Sequence, residues 1–104
     1  MSDGKKKTNR KEDVKVLERT KKPRKYKVVL HNDNFTPRQF VVLLLEEIFR
    51  LPRPLAAAVM LAVHNSDRGV IGTWPREIAE EKSNRANKLA REYGFPLMTT
   101  TEPA

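Results

Sequence analysis

Apolar positions in this chain are sparse before residue 26 and frequent after it, and their spacing changes from block to block. Tyr26-Lys27-Val28-Val29-Leu30 is β-branched and aromatic, which predicts a strand. His31-Asn32-Asp33-Asn34 breaks it, because short Asx side chains bond neighbouring backbone groups and tolerate turn geometry. Thr36-Pro37-Arg38-Gln39 reads as a helix start, with Thr36 as N-cap, Pro37 at the first helical position and Gln39 completing a capping box. The helix is expected to run to Arg50, and its segment Phe40 to Leu45 is apolar around most of its circumference, which implies burial on more than one side.

Pro52 and Pro54 must interrupt that helix, since proline lacks a donor and forces the preceding residue extended. A second helix is expected from about Pro54 to His64, followed by a turn at Asn65 to Gly69 and a short strand at Val70 to Trp74. Pro75 opens a third helix, in which Ile78, Ala79, Ala86, Leu89, Ala90 and Tyr93 form one apolar stripe and Glu80, Glu81, Arg85, Lys88 and Arg91 face water. Gly94 is placed to cap it, and Phe95 to Thr100 supplies a last strand. The order β-α-α-β-α-β predicts a single small α+β domain, a three-stranded antiparallel sheet carrying three helices.

Length agrees, since 104 residues hold one small core. Charge divides the chain. Residues 1–25 carry 11 Lys/Arg against four Asp/Glu, whereas residues 26–104 carry 10 against nine, so the net charge of +8 lies almost wholly at the start. That segment has no aromatic residue, and its charge density predicts a disordered basic tail over 1–23 ahead of a domain over 24–104. The polar start lacks a signal peptide's apolar core, and no apolar run approaches the roughly 18 residues of a spanning helix, so a cytoplasmic protein without membrane contact is expected. Zero cysteines exclude thiol catalysis and Cys-ligated zinc, and two histidines leave little for a His-based metal site. No cofactor is expected.

Candidate chemistry is sparse. Asn32-Asp33-Asn34 at a strand-to-helix corner and His64 at a helix end are the clustered polar groups beside long apolar runs. By spacing alone they fit a turn and a helix-end cation favoured by the macrodipole. An Asp33–His64 acid-base dyad is a second possibility, but no nucleophile elbow or phosphate-cradling glycine loop accompanies it. A small nucleic-acid-associated module using the basic tail is a third.

A set of strings changes the balance. The segment Tyr26 to Pro37, then Phe40-Val41, Met60-Leu61-Ala62-Val63-His64, Gly72, Glu77 to Glu80, Lys82, Asn87, Ala90-Arg91-Glu92 and Pro96-Leu97 strongly resemble the ClpS family, adaptors of the ATP-dependent Clp protease. The resemblance covers roughly residues 24–104. It implies a non-enzymatic adaptor, expected to be a monomer, that binds proteins with a free bulky hydrophobic N-terminal residue (Phe, Tyr, Trp or Leu) and delivers them to the N-terminal domain of a ClpA-type unfoldase, without nucleic acid. By matching positions, Asn32, Asp33, Asn34 and His64 would hold the substrate α-amino group. Leu30, His31, Thr36, Arg38, Val41, Met60, Val63 and Leu97 would wall the side-chain pocket, and Glu77 and Lys82 would contact the unfoldase. Two positions depart from the family pattern: Asn34 replaces a second carboxylate, and Arg38 replaces an apolar gating residue, often Met. A guanidinium there either lays its stem along the pocket with its head in water or stacks on an aromatic ligand.

Overall fold

The computed structural model describes residues 24–104, so the expectation of a disordered tail over 1–23 lies outside the described residues. Strand β1 spans Lys25–His31, helix α1 Arg38–Glu47, α2 Arg53–Ser66, β2 Arg68–Pro75, α3 Arg76–Glu92 and β3 Met98–Pro103. Among the described residues these six elements form the expected β-α-α-β-α-β domain, with one three-stranded sheet in the order β2-β1-β3 and both pairings antiparallel.

Side chains alternate across a strand. Tyr26, Val28 and Leu30 of the central strand therefore turn to one face, where Val28 and Leu30 join Leu44, Leu45, Ile48 and Phe49 of α1 and the turn after it, Ala56 and Val63 of α2, and Ala79, Ala86 and Ala90 of α3 in a single core. Val29 points the other way, flanked by Val70 and Thr100, and is nonetheless fully buried. Apart from Met98 opposite His31, the rest of that second face is polar, with Glu102 paired to Arg68 at 2.6 Å and to Lys27 at 3.8 Å. The register slips between Val28 and Val29, where Ile71 is the extra residue of a β-bulge in β2 that keeps its side chain buried.

The boundaries correct several expectations. The capping box does not form: α1 begins at Arg38 behind Pro37, no side chain caps it, and the Thr36 hydroxyl is bonded elsewhere. Helix α1 stops at Glu47 instead of Arg50, because Arg50 adopts a left-handed backbone (φ 59°) ahead of Pro52. The run at 40–45 is less enclosed than its composition implies, since Leu44 and Leu45 are buried but Leu43 is 53% exposed. Helix α2 extends to Ser66 and ends on Asp67, also left-handed (φ 72°), whose N–H reaches Val63 O at 2.8 Å. The apolar stripe of α3 narrows to Ala79, Ser83, Ala86 and Ala90 with Leu89 half-buried beside them, while Ile78 and Tyr93 are exposed.

Gly94 (φ 79°) closes α3 as expected. Its N–H reaches Arg91 O at 2.9 Å and that of Phe95 reaches Ala90 O at 2.8 Å, the paired bonds of a Schellman cap. The last strand starts at Met98 and not at Phe95. What fixes its start is Thr99, whose N–H donates to Asn87 Oδ1 at 2.8 Å and whose hydroxyl lies 2.6 Å from Ser83 Oγ. This buried polar seam clamps β3 to α3 and sets Leu97 just before the strand, fully buried.

Candidate functional site

A cavity of about 240 Å³ opens at the C-terminal end of β1 and is lined by Leu30, His31, Asn32, Asp33, Asn34, Thr36, Arg38, Val41, Met60, Val63, His64 and Leu97. All twelve residues expected at the amino-binding corner and the side-chain pocket therefore line one cavity. Each arrives by a separate route. Leu30 and His31 end the central strand, Asn32 to Thr36 form the corner, Arg38 and Val41 lie on the first turn of α1, Met60, Val63 and His64 on the last turns of α2, and Leu97 precedes β3.

The corner is held by Asp33. Its Oδ1 accepts the N–H groups of Phe35 at 2.8 Å and Thr36 at 2.7 Å, and its Oδ2 accepts the Thr36 hydroxyl at 2.8 Å. The Asx side chain thus binds the turn ahead of the helix and takes up the Thr36 hydroxyl, while the first turn of α1 stays without a side-chain cap. A second tie joins the corner to α2, where the N–H of Asn32 donates to Asp67 O at 2.8 Å. Asp67 had no assigned role from its sequence position; its left-handed φ, which turns its carbonyl towards the corner, is a property of the folded backbone. These bonds set Asn32 and His64 on the same cavity. Among the described residues the side chains of Asn32 and Asn34 make no hydrogen bond, and each carries an amide oxygen that can accept one.

The wall is divided by chemistry. Leu30, Val63 and Leu97 are buried, Val41 and Met60 are half-buried, and together they form an apolar floor; Asn32, Asp33, Asn34 and His64 gather at one side. His31 donates to or accepts from the Thr100 hydroxyl at 2.7 Å, which fixes its ring against the sheet. Arg38 lines the cavity with its head exposed, and its Nη2 sits 2.8 Å from His64 Nε2. Formal charge in the lining comes to one carboxylate, Asp33, and one guanidinium, Arg38.

The two residues expected at a partner surface separate. Glu77 is exposed in the first turn of α3, next to Arg76, which pairs with Glu80 at 3.2 Å. That hydrogen bond, then the Tyr26 and Glu80 charges, holds the Arg76 guanidinium above its ordinary pKa. Lys82 is engaged within the fold: its Nζ donates to Ile48 O at 3.2 Å and lies 5.5 Å from the centre of the Trp74 ring. It satisfies a carbonyl left open at the end of α1. No group of three or more His, Asp or Glu that would hold a metal occurs among the described residues, and no helix among them is long and apolar enough to cross a membrane.

The family model described as "ATP-dependent Clp protease adaptor protein ClpS" matches residues 21–100. The chain belongs to the ClpS family. It is 47% identical over 90 residues to the ClpS adapter of Lawsonia intracellularis, covering 86% of this chain and 83% of that one. It is 43% identical to the ClpS adapter of Oleidesulfovibrio alaskensis over 102 residues and 98% of both chains, and 43% identical to ClpS 2 of Agrobacterium fabrum over 86% of each. The solved structure of Agrobacterium tumefaciens ClpS2 bound to L-phenylalaninamide superposes with a TM-score of 0.77 at 44% identity, covering 79% of this chain and 99% of that one. As a ClpS-family protein the chain falls among adaptors of the ATP-dependent Clp protease.

Proposed function

We propose that this chain binds proteins through a free, bulky hydrophobic N-terminal residue and passes them to a ClpA-type unfoldase for degradation. The observation that carries this reading is the divided cavity: an apolar floor of Leu30, Val41, Met60, Val63 and Leu97 beside acceptors from Asn32, Asn34, Asp33 and His64. An N-terminal residue offers the complementary pair, a side chain and an α-ammonium bonded to the same carbon. L-Phenylalaninamide, bound by the structural relative, has both groups.

The ammonium has three donors and one charge, so it calls for converging acceptors in negative potential. Asn32 and His64 supply acceptors, and Asp33, with three hydrogen bonds already inside the corner, supplies mainly charge. Bonds to a charged group contribute roughly 1.5 to 3 kcal/mol each, and burying a Phe or Leu side chain adds about 1.5 to 3 kcal/mol. Both terms are needed for tight binding. Handover would use the exposed surface of α3 around Glu77.

The test is a short peptide beginning with Phe and its N-acetylated twin. Acetylation removes the charge and leaves acceptors unpaired at about 1 to 3 kcal/mol apiece, so affinity is expected to fall at least tenfold, and likewise in His64→Ala. Equal binding of the two peptides would rule out recognition of the α-amino group.

A further inference from the structure

Arg38 and His64 meet at the rim of the cavity, both exposed, with Nη2 and Nε2 2.8 Å apart. A guanidinium only donates and does not deprotonate in proteins, so Nε2 is the acceptor and the proton of the neutral ring sits on Nδ1. A neutral imidazole has a single acceptor nitrogen. That acceptor is therefore already taken by a cation of the protein itself. Were the ring to offer Nδ1 instead, Nε2 would carry the proton and the Arg38 bond would be lost. Arg38 and an arriving α-ammonium thus exclude one another at His64.

Resting on the adaptor reading above, we infer that Arg38 is a resident competitor, a latch that holds the His64 acceptor until an N-terminal ammonium displaces it. Its surroundings favour this role. Among the described residues Arg38 has no carboxylate partner, and Asp33, the one carboxylate in the lining, is engaged with the corner backbone and Thr36. The displaced side chain also has somewhere to go. Arg38 borders a second groove of about 400 Å³ between α1 and α2, lined by the apolar Val42, Leu43 and Met60 and by Glu46, which is already paired with Arg53 at 3.0 Å. The stem can lie on those apolar residues with the guanidinium in water. The latched fraction lowers apparent affinity for every free N-terminus in proportion to its population, whatever the first side chain.

Two measurements on the full chain decide it. Nitrogen-15 spectra of the unliganded protein, at a pH of about 8 where an ordinary histidine is neutral, are expected to show His64 protonated at Nδ1, and Arg38→Met to shift it towards the Nε2–H form that free side chains favour. With a Leu-initiated free-amine peptide, which has no π face for Arg38, Arg38→Met is expected to bind about three- to tenfold more tightly when His64 is present and less than twofold differently in a His64→Ala background. An Nε2–H ring in the wild type overturns the latch alone. So does the same gain in both backgrounds, which would make Arg38 an obstruction by bulk. A wild type that ignores free N-termini removes the adaptor reading, and the latch with it.

Discussion

Asp33 and Thr36 are bonded twice, Oδ1 to the Thr36 N–H at 2.7 Å and Oδ2 to the Thr36 hydroxyl at 2.8 Å. The pair turns the chain from β1 into α1 and so places Asn32 and Arg38 on one cavity. Asp33 is thereby a structural residue first and a source of ligand-attracting charge second.

Asp33→Ala is expected to lose all three corner bonds and to destabilise the domain by about 1 to 3 kcal/mol, with a matching loss of affinity for a Phe-initiated peptide. Asp33→Asn keeps one acceptor and so should retain more stability than Ala while losing the charge. Thermal unfolding beside peptide titration checks this. If Asp33→Ala melts like the wild type, the corner does not depend on the carboxylate.

Asn34 is exposed at the same corner and makes no hydrogen bond among the described residues. Asn34→Asp adds a second carboxylate to a lining that has one, and a charge about 4 Å from the ammonium is worth about 1 kcal/mol in water. Affinity for a free N-terminus should rise roughly fivefold at low salt, and the gain should shrink as salt screens it. A gain that salt does not alter would point to a change in shape instead of charge.

Specificity at Arg38 is separable from the latch, because displacement affects every N-terminus equally and cancels in a ratio of ligands. Once released, a guanidinium over an aromatic side chain gains about 0.5 to 2 kcal/mol, while Leu gains none. The wild type is therefore expected to favour Phe over Leu, and Arg38→Met to narrow the Phe-to-Leu affinity ratio. An unchanged ratio means that the guanidinium does not touch the ligand's side chain.

The basic segment, with 11 Lys/Arg against four Asp/Glu over residues 1–25, is expected to serve delivery and not recognition. Deleting residues 1–20 should leave peptide affinity within about twofold and alter degradation by an unfoldase and its protease, since a basic extension ahead of the domain is available to that machine. Loss of peptide binding on truncation would assign the segment to the site.

Local sequence determined the elements. β-Branched residues at 26–30, prolines at 52, 54 and 75 and glycine at 94 set strand, breaks and cap through backbone sterics that act within a few residues, and each appears where expected to within a few positions. The ClpS-like strings named the cavity residues as well, because both the corner and the end of α2 are contiguous in sequence. Tertiary structure decided what those residues do to one another. Thr36 and Gln39 make a capping box on paper, but Asp33 competes for the same hydroxyl and N–H and wins with two oxygens. Lys82 reads as a surface cation until α1 ends beneath it and presents the Ile48 carbonyl. Ser83 and Asn87 interrupt a helical stripe for no local reason, and only the arrival of Thr99 on β3 supplies their partners. Arg38 and His64, 26 residues apart, become neighbours because α1 begins and α2 ends at the same corner; a hydrogen bond between side chains so far apart depends on the packing of two helices, which no window along the chain contains.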